Sequence, residues 1–122
     1  AGTVHFYPYY GGSSDHENSM TVLFESENCG ILITGDLDAA GERALLHAVD
    51  LPKVDILVVG HHGSKTSTSQ ELLDGVAPRI AAISVGENNR YGHPTEQVLE
   101  RLEQAGCRIY RTDQQGTLVF RR

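Results

Sequence analysis

The stretch Asp55-Ile56-Leu57-Val58-Val59-Gly60-His61-His62-Gly63-Ser64-Lys65 decides how this chain is read. Its apolar run over residues 56–60 is continuous rather than alternating, the pattern of a strand buried on both faces. That strand delivers two adjacent histidines into a loop flanked by glycines, which permit close backbone approach and unusual dihedrals. Neighbouring side chains alternate along extended backbone, so His61 and His62 cannot share one role. One is suited to bind a metal, and the other to face a substrate or hand over a proton.

Outward from this stretch, short apolar runs alternate with helical periodicity. Strands are expected over 3–7, 21–26 and 30–34, the last two joined by a turn at Glu27-Asn28. A helix follows over 39–49, with Ala44, Leu45, Ala48 and Val49 on one face. After the histidines, Thr68 and Glu71 form a capping box for a short helix ending at Val76. Residues 80–85 read as the next strand. Pro94 then opens a helix over 94–105 with Val98, Leu99, Leu102 and Ala105 on its apolar face, stopped by Gly106. Residues 108–111 and 117–120 read as a closing hairpin around Asp113-Gln114-Gln115-Gly116. The alternation predicts an α/β architecture with a parallel or mixed sheet, as one domain over 1–122 with no repeat or linker.

Composition narrows the function classes. The 122 residues are 39% hydrophobic and 21% charged, an ordinary globular balance with no run long enough to cross a membrane as a helix. A net charge of -6 argues against a protein that coats nucleic acid through phosphate contacts alone. It leaves room for a phosphodiester held by a metal ion, which would supply positive charge locally. Cys29 and Cys107 are far apart, form no CxxC pair, and read as small hydrophobes.

Successive strand-helix units return the chain in one direction, so their strand-exit loops share one edge of the sheet, where open α/β sheets bind ligands. Those loops carry Asp36, then His61 and His62, then His93. Carboxylate plus imidazole suits Zn, Mn or Fe, and a carboxylate can bridge two ions. Taken singly, each has a plainer alternative: Asp36 as a helix cap, the histidine pair as loop hydrogen-bonders, His93 as a cap before a helix. Their coincidence at one edge favours a functional site. His5, His16 and His47 lack such support, and the polar loop over 64–69 matches neither a nucleophile elbow nor a P-loop.

The strings Asn18-Ser19-Met20-Thr21-Val22-Leu23, Leu32-Ile33-Thr34-Gly35-Asp36-Leu37, Val59-Gly60-His61-His62-Gly63-Ser64-Lys65-Thr66-Ser67 and Ile83-Ser84-Val85-Gly86, with Asn89-Arg90-Tyr91-Gly92-His93-Pro94, closely resemble the metallo-β-lactamase domain of the ComEC family of DNA-uptake competence proteins. The resemblance runs from about Asn18 to Phe120. It implies half of a metallo-β-lactamase-like αββα sandwich, one mixed sheet with flanking helices, and a two-metal hydrolase site. On that resemblance Asp36 bridges two divalent ions (Zn or Mn), His62 is a later metal ligand, and His61 lies beside the scissile phosphate. His93 contacts phosphate or donates a proton. Asn18 lies near a position where many members place another ligand, and Ser64, Lys65, Arg90 and Tyr91 are further polar contacts to substrate. The implied substrate is single-stranded DNA. The implied parent is an integral membrane protein with this domain on its extracytoplasmic side.

One departure bears on all of this. Such domains carry most metal ligands in an early His-x-His-x-Asp-His motif, and this sequence contains no His-x-His. Its nearest equivalent, Ser14-Asp15-His16-Glu17, reads as a loop. The chain therefore resembles the C-terminal half of the domain, without the N-terminal half that supplies the early ligands. Little or no metal is expected to bind it alone, since Zn sites use at least three protein ligands. The sheet face turned to the absent half should be apolar, so a homodimer through that face is expected. Two other readings keep parts of the pattern: a phosphorylcholine esterase or other small-molecule phosphodiesterase, and a degenerate domain that only binds DNA or a partner.

Overall fold

The computed structural model describes residues 2–10, 20–87, 89 and 91–121. A six-stranded sheet runs in sequence order, β1 (Thr3–Tyr7), β2 (Thr21–Glu25), β3 (Gly30–Ile33), β4 (Ile56–Val58), β5 (Ile80–Ile83) and β6 (Arg108–Arg111). The first three strands pair antiparallel, and β3 through β6 pair parallel. Each parallel step is bridged by a helix: α1 (Ala39–Ala48), α2 (Gln70–Val76) and α3 (Glu96–Gln104). The architecture is α/β with one mixed sheet, consistent with half of an αββα sandwich.

Register explains where the core sits. Leu23 pairs with Leu32, Leu32 with Leu57, Leu57 with Ala81, and Ala81 with Ile109, so these five share one face of the sheet. Leu72, Leu73 and Val76 of α2 and Val98 and Leu102 of α3 pack onto that row, and all five are almost fully buried. Burying each such side chain contributes roughly 1.5–3 kcal/mol relative to leaving it exposed. The opposite face carries Val22, Ile33, Val58 and Ala82 in one row and Phe24, Ile31, Ile56 and Ile80 in the next. It is apolar but incompletely covered: Phe6, beside Val22, is 62% exposed and Ile33 is 38% exposed.

Each of these three helices starts where a short polar side chain meets its first turn. Asp38 accepts from Gly41 N–H at 2.8 Å, Ser69 from Leu72 N–H at 3.2 Å, and Thr95 from Val98 N–H at 3.4 Å. Two expectations about these starts are corrected. The cap of α2 is Ser69 rather than Thr68, which sits at a positive φ of 56°. Pro94 precedes the Thr95 cap, so it stands outside α3 instead of opening it.

Two further expectations fail. The buried face of α1 is Gly41, Glu42 and Leu45, whereas Ala48 is exposed, because the helix turns a carboxylate rather than its alanines inward. The expected closing hairpin is absent among the described residues: β6 runs directly into a short helix, α4 (Thr112–Gln115), and residues 117–120 form no strand. Thr112 makes that turn. Its hydroxyl accepts from Val85 N–H at 2.8 Å and donates to Val85 O at 2.9 Å, tying the end of β6 to the exit of β5. The tail beyond α4 brings Phe120 edge-on to Tyr110, with ring centroids 5.2 Å apart.

Candidate functional site

The three strand-exit loops do meet at one edge of the sheet. Gly60 is the point of closest approach between two of them. A Cβ there would lie 2.9 Å from Thr34 Oγ1 and 3.2 Å from Gly35 O. The backbone bond from His61 N–H to Gly35 O, 2.9 Å, fastens the contact. Gly63 does the same for the third loop: its φ is +87°, and a Cβ there would fall 2.5 Å from the Cβ of Pro94. Thr95 N–H donates to Gly63 O at 3.0 Å on the same seam.

Between these glycines the two histidines occupy left-handed backbone, φ 48° at His61 and 54° at His62. Non-glycine residues are uncommon in that region, although histidine is among those that enter it more readily, and held backbone of this kind clusters at functional sites. Each imidazole is then fixed by a carbonyl. His61 Nε2–H donates to Asp36 O at 2.5 Å, and His62 Nδ1–H donates to Ser84 O at 2.6 Å. A carbonyl only accepts, so each contacting nitrogen carries its proton. For neutral His62 this leaves Nε2 as the lone-pair atom, the tautomer set-up common to metal-ligating and proton-accepting histidines.

His62 and His93 line one depression of about 240 Å³ with Ser84, Val85, Gly86, Asn89 and Tyr91. Asn89 builds its far wall. Its Oδ1 accepts from His93 N–H at 2.9 Å and Tyr91 N–H at 3.3 Å, while its Nδ2 donates to His93 O at 2.6 Å. Tyr91 is 80% exposed, its ring centroid 6.0 Å from that of His93.

The expected residues thus reach one edge in two pairs, not one cluster. His62 and His93 share the depression, and His61 contacts the Asp36 turn through backbone. Asp36 is exposed in that turn, and the helix cap beside it is Asp38. Lys65 is exposed, and the Ser64 hydroxyl is engaged with Thr66 Oγ1 at 3.0 Å. Asn18, Arg90 and the Asp15-His16 pair lie outside the described residues. Sequence reading gave no role to Asn89 or to the Ser84 carbonyl. Asn two and four residues before Tyr91 and His93 was a usable signal, since asparagine side chains commonly close local backbone turns. A carbonyl acceptor leaves no mark in sequence.

Metal binding can be tested against these donors. Among the described residues no three His, Cys, Asp or Glu side chains group closely enough to hold an ion. The candidate donors described are one anchored imidazole, His62, and one exposed carboxylate, Asp36, where zinc sites use at least three protein ligands.

No protein-family model matches the chain. It is 40% identical over 109 residues to ComE operon protein 3 of Bacillus subtilis (strain 168), a match covering 89% of this chain and 14% of that protein. It is 40% identical over 108 residues to competence protein ComA of Neisseria gonorrhoeae, covering 87% of this chain and 16% of that one. The chain belongs to the ComEC family. Recombination protein 2 of Haemophilus influenzae is also 40% identical, over 103 residues, or 84% of this chain and 13% of the relative. The chain spans about one-seventh of the length of the relatives it matches. The matches extend over most of the sheet and its three crossovers, so they concern a whole structural layer and not an isolated motif.

Proposed function

We propose that this chain serves a ComEC-like DNA-uptake protein as one edge of a metal-dependent site that hydrolyses phosphodiesters. The observation that carries the proposal is His62: its backbone is left-handed, its Nδ1 is anchored to Ser84 O, and it lines a depression shared with His93. A loop histidine with no task beyond hydrogen bonding has no reason to be held this way. In this reading Asp36 and His62 are two members of a metal donor set whose other members lie outside these 122 residues. His93, its backbone pinned on both sides by Asn89, is the proton donor to the leaving oxygen. His61 holds the Asp36 turn against the strand exit and lies toward the scissile phosphate. Ser64, Lys65 and Tyr91 border the path of the substrate, single-stranded DNA.

The same reading gives the uncovered sheet face an occupant: the remaining half of the domain, from the longer membrane protein. Without it, the 122-residue chain binds Zn or Mn weakly and cleaves no DNA at a measurable rate. Robust metal-dependent cleavage by this chain alone would contradict that. Substrate class is tested by comparing turnover of single-stranded DNA and of a phosphocholine ester by a full-length protein carrying this segment. DNA is expected to be cleaved and the ester spared. The reverse preference would make it a small-molecule phosphodiesterase, and cleavage of neither would leave a binding domain.

A further inference from the structure

Glu42 is the one carboxylate with no exposed surface among the described residues, and nothing in the proposed chemistry uses it. It enters from α1 and meets the chain just after the histidine turn: Oε2 accepts from Thr68 N–H at 2.7 Å and Oε1 from Ser69 N–H at 2.8 Å. From the other side Arg101 of α3 donates through Nη1 to Thr68 O at 2.7 Å and Ser67 O at 3.3 Å. A carboxylate thus takes the amides of this short segment while a guanidinium takes its carbonyls. The two charges attract each other across the two peptide groups that flank Thr68.

The bracketed segment is bound directly to the site. Ser67 Oγ donates to Leu37 O at 2.8 Å, and Ala39 N–H donates to Thr66 O at 2.7 Å, both in the stretch just after Asp36. Ser67 N–H donates to Ser64 O, and Ser64 N–H to His61 O, which returns the connection to the histidine turn. Three non-glycine residues of this segment have positive φ. Thr68 is β-branched at a φ of 56°, and His61 and His62 are left-handed as well. Thr68 is also one of two fully buried hydroxyls without a hydrogen-bond partner among the described residues; the other, Thr34, lies against Gly60 at the start of the histidine turn. Strained backbone of this kind persists only where its surroundings over-determine it, and Glu42 with Arg101 are the charged groups that do so.

We infer that Glu42 and Arg101 are positioning residues, holding the 61–69 segment so that His61 and His62 keep their imidazole orientations. The inference concerns the order of the turn, and failure of the phosphodiesterase reading would leave it standing. Its test uses the 122-residue chain without metal or DNA. Amide hydrogen exchange is followed over residues 61–69, and imidazole nitrogen resonances report the tautomers of His61 and His62. Leu102→Ala serves as a control that lowers stability through the core, away from the belt. Glu42→Ala and Arg101→Met are expected to raise exchange over 61–69 by about tenfold or more beyond that control at matched stability, and to shift the His62 ring resonances toward a tautomer mixture. Glu42→Gln, which keeps one acceptor, and Arg101→Lys are expected to fall between the wild type and these variants. They carry the test if Glu42→Ala does not fold. Exchange no faster than in Leu102→Ala, with unchanged ring resonances, would overturn the inference.

Discussion

The two faces of the sheet are similarly apolar and end in different places. One face, the row from Leu23 to Ile109, lies under α2 and α3 and supplies the core. The other carries as many branched and aromatic side chains, yet leaves Val4 48% exposed and Phe6 62% exposed. Pairing register and β propensity treat the two faces alike. What separates them is whether a second layer is present, which the strands themselves do not decide. Large exposed apolar patches mark interaction surfaces on soluble proteins, and the proposed second half of the domain would cover this one.

Substitutions across the sheet test this contrast most strongly. Leu57→Ala, on the covered face, is expected to cost about 2–5 kcal/mol in denaturant unfolding, the range for a buried leucine that leaves a cavity. Ile33→Ala, one strand away on the other face, is expected to cost about 1 kcal/mol or less. Equal costs would mean that the outer face is covered in solution. Light scattering sharpens the point: concentration-dependent self-association is expected, and Ile33→Asp should weaken it. A clean monomer at high concentration would show that the exposed patch does not drive association.

Smaller effects come from charge. Burial pushes the Glu42 carboxyl above its usual range, against the opposing pull of the Thr68 and Ser69 amides and of Arg101. A raised acid pKa contributes stability at pH below the ordinary carboxylate value, and that contribution is lost as pH rises through the raised value. The wild type should therefore lose stability relative to Glu42→Gln over that upward range. Asp113 runs the other way. The Arg111 guanidinium, 2.7 Å from its Oδ2, holds its carboxyl below the usual range, so its contribution is present at neutral pH and fades as pH falls through the lowered value. Parallel pH profiles for wild type and Asp113→Asn would remove that assignment.

Much of the fold was legible in the sequence because the elements that carry it announce themselves. The 3–7 strand has the expected limits, and the 21–26 and 30–34 strands were expected to within one residue, because hydrophobic runs and a polar turn delimit them. The closing segment was misread for a physical reason. Val119 and Phe120 look strand-like, but Thr112 uses its hydroxyl to turn the chain into a helix, and the tail packs by aromatic contact instead of pairing. Glu42 was invisible as a buried group, since a glutamate in a first helical turn ordinarily faces water. At the site, sequence topology brought Asp36, His61, His62 and His93 to one edge. The left-handed histidines and the Ser84 acceptor depend on tertiary contacts that no local pattern encodes, whereas the wall made by Asn89 rests on contacts two and four residues along the chain and left a local signal.

The most direct test of the central claim is single-stranded DNA cleavage by a full-length protein carrying this segment, comparing wild type with Asp36→Ala and His62→Ala. Both substitutions lie on an exposed edge, so folding should survive, and circular dichroism checks that it does. The account predicts metal-dependent cleavage by the wild type and a loss of about a hundredfold or more in kcat for each variant. Cleavage by the folded variants at the wild-type rate would contradict it.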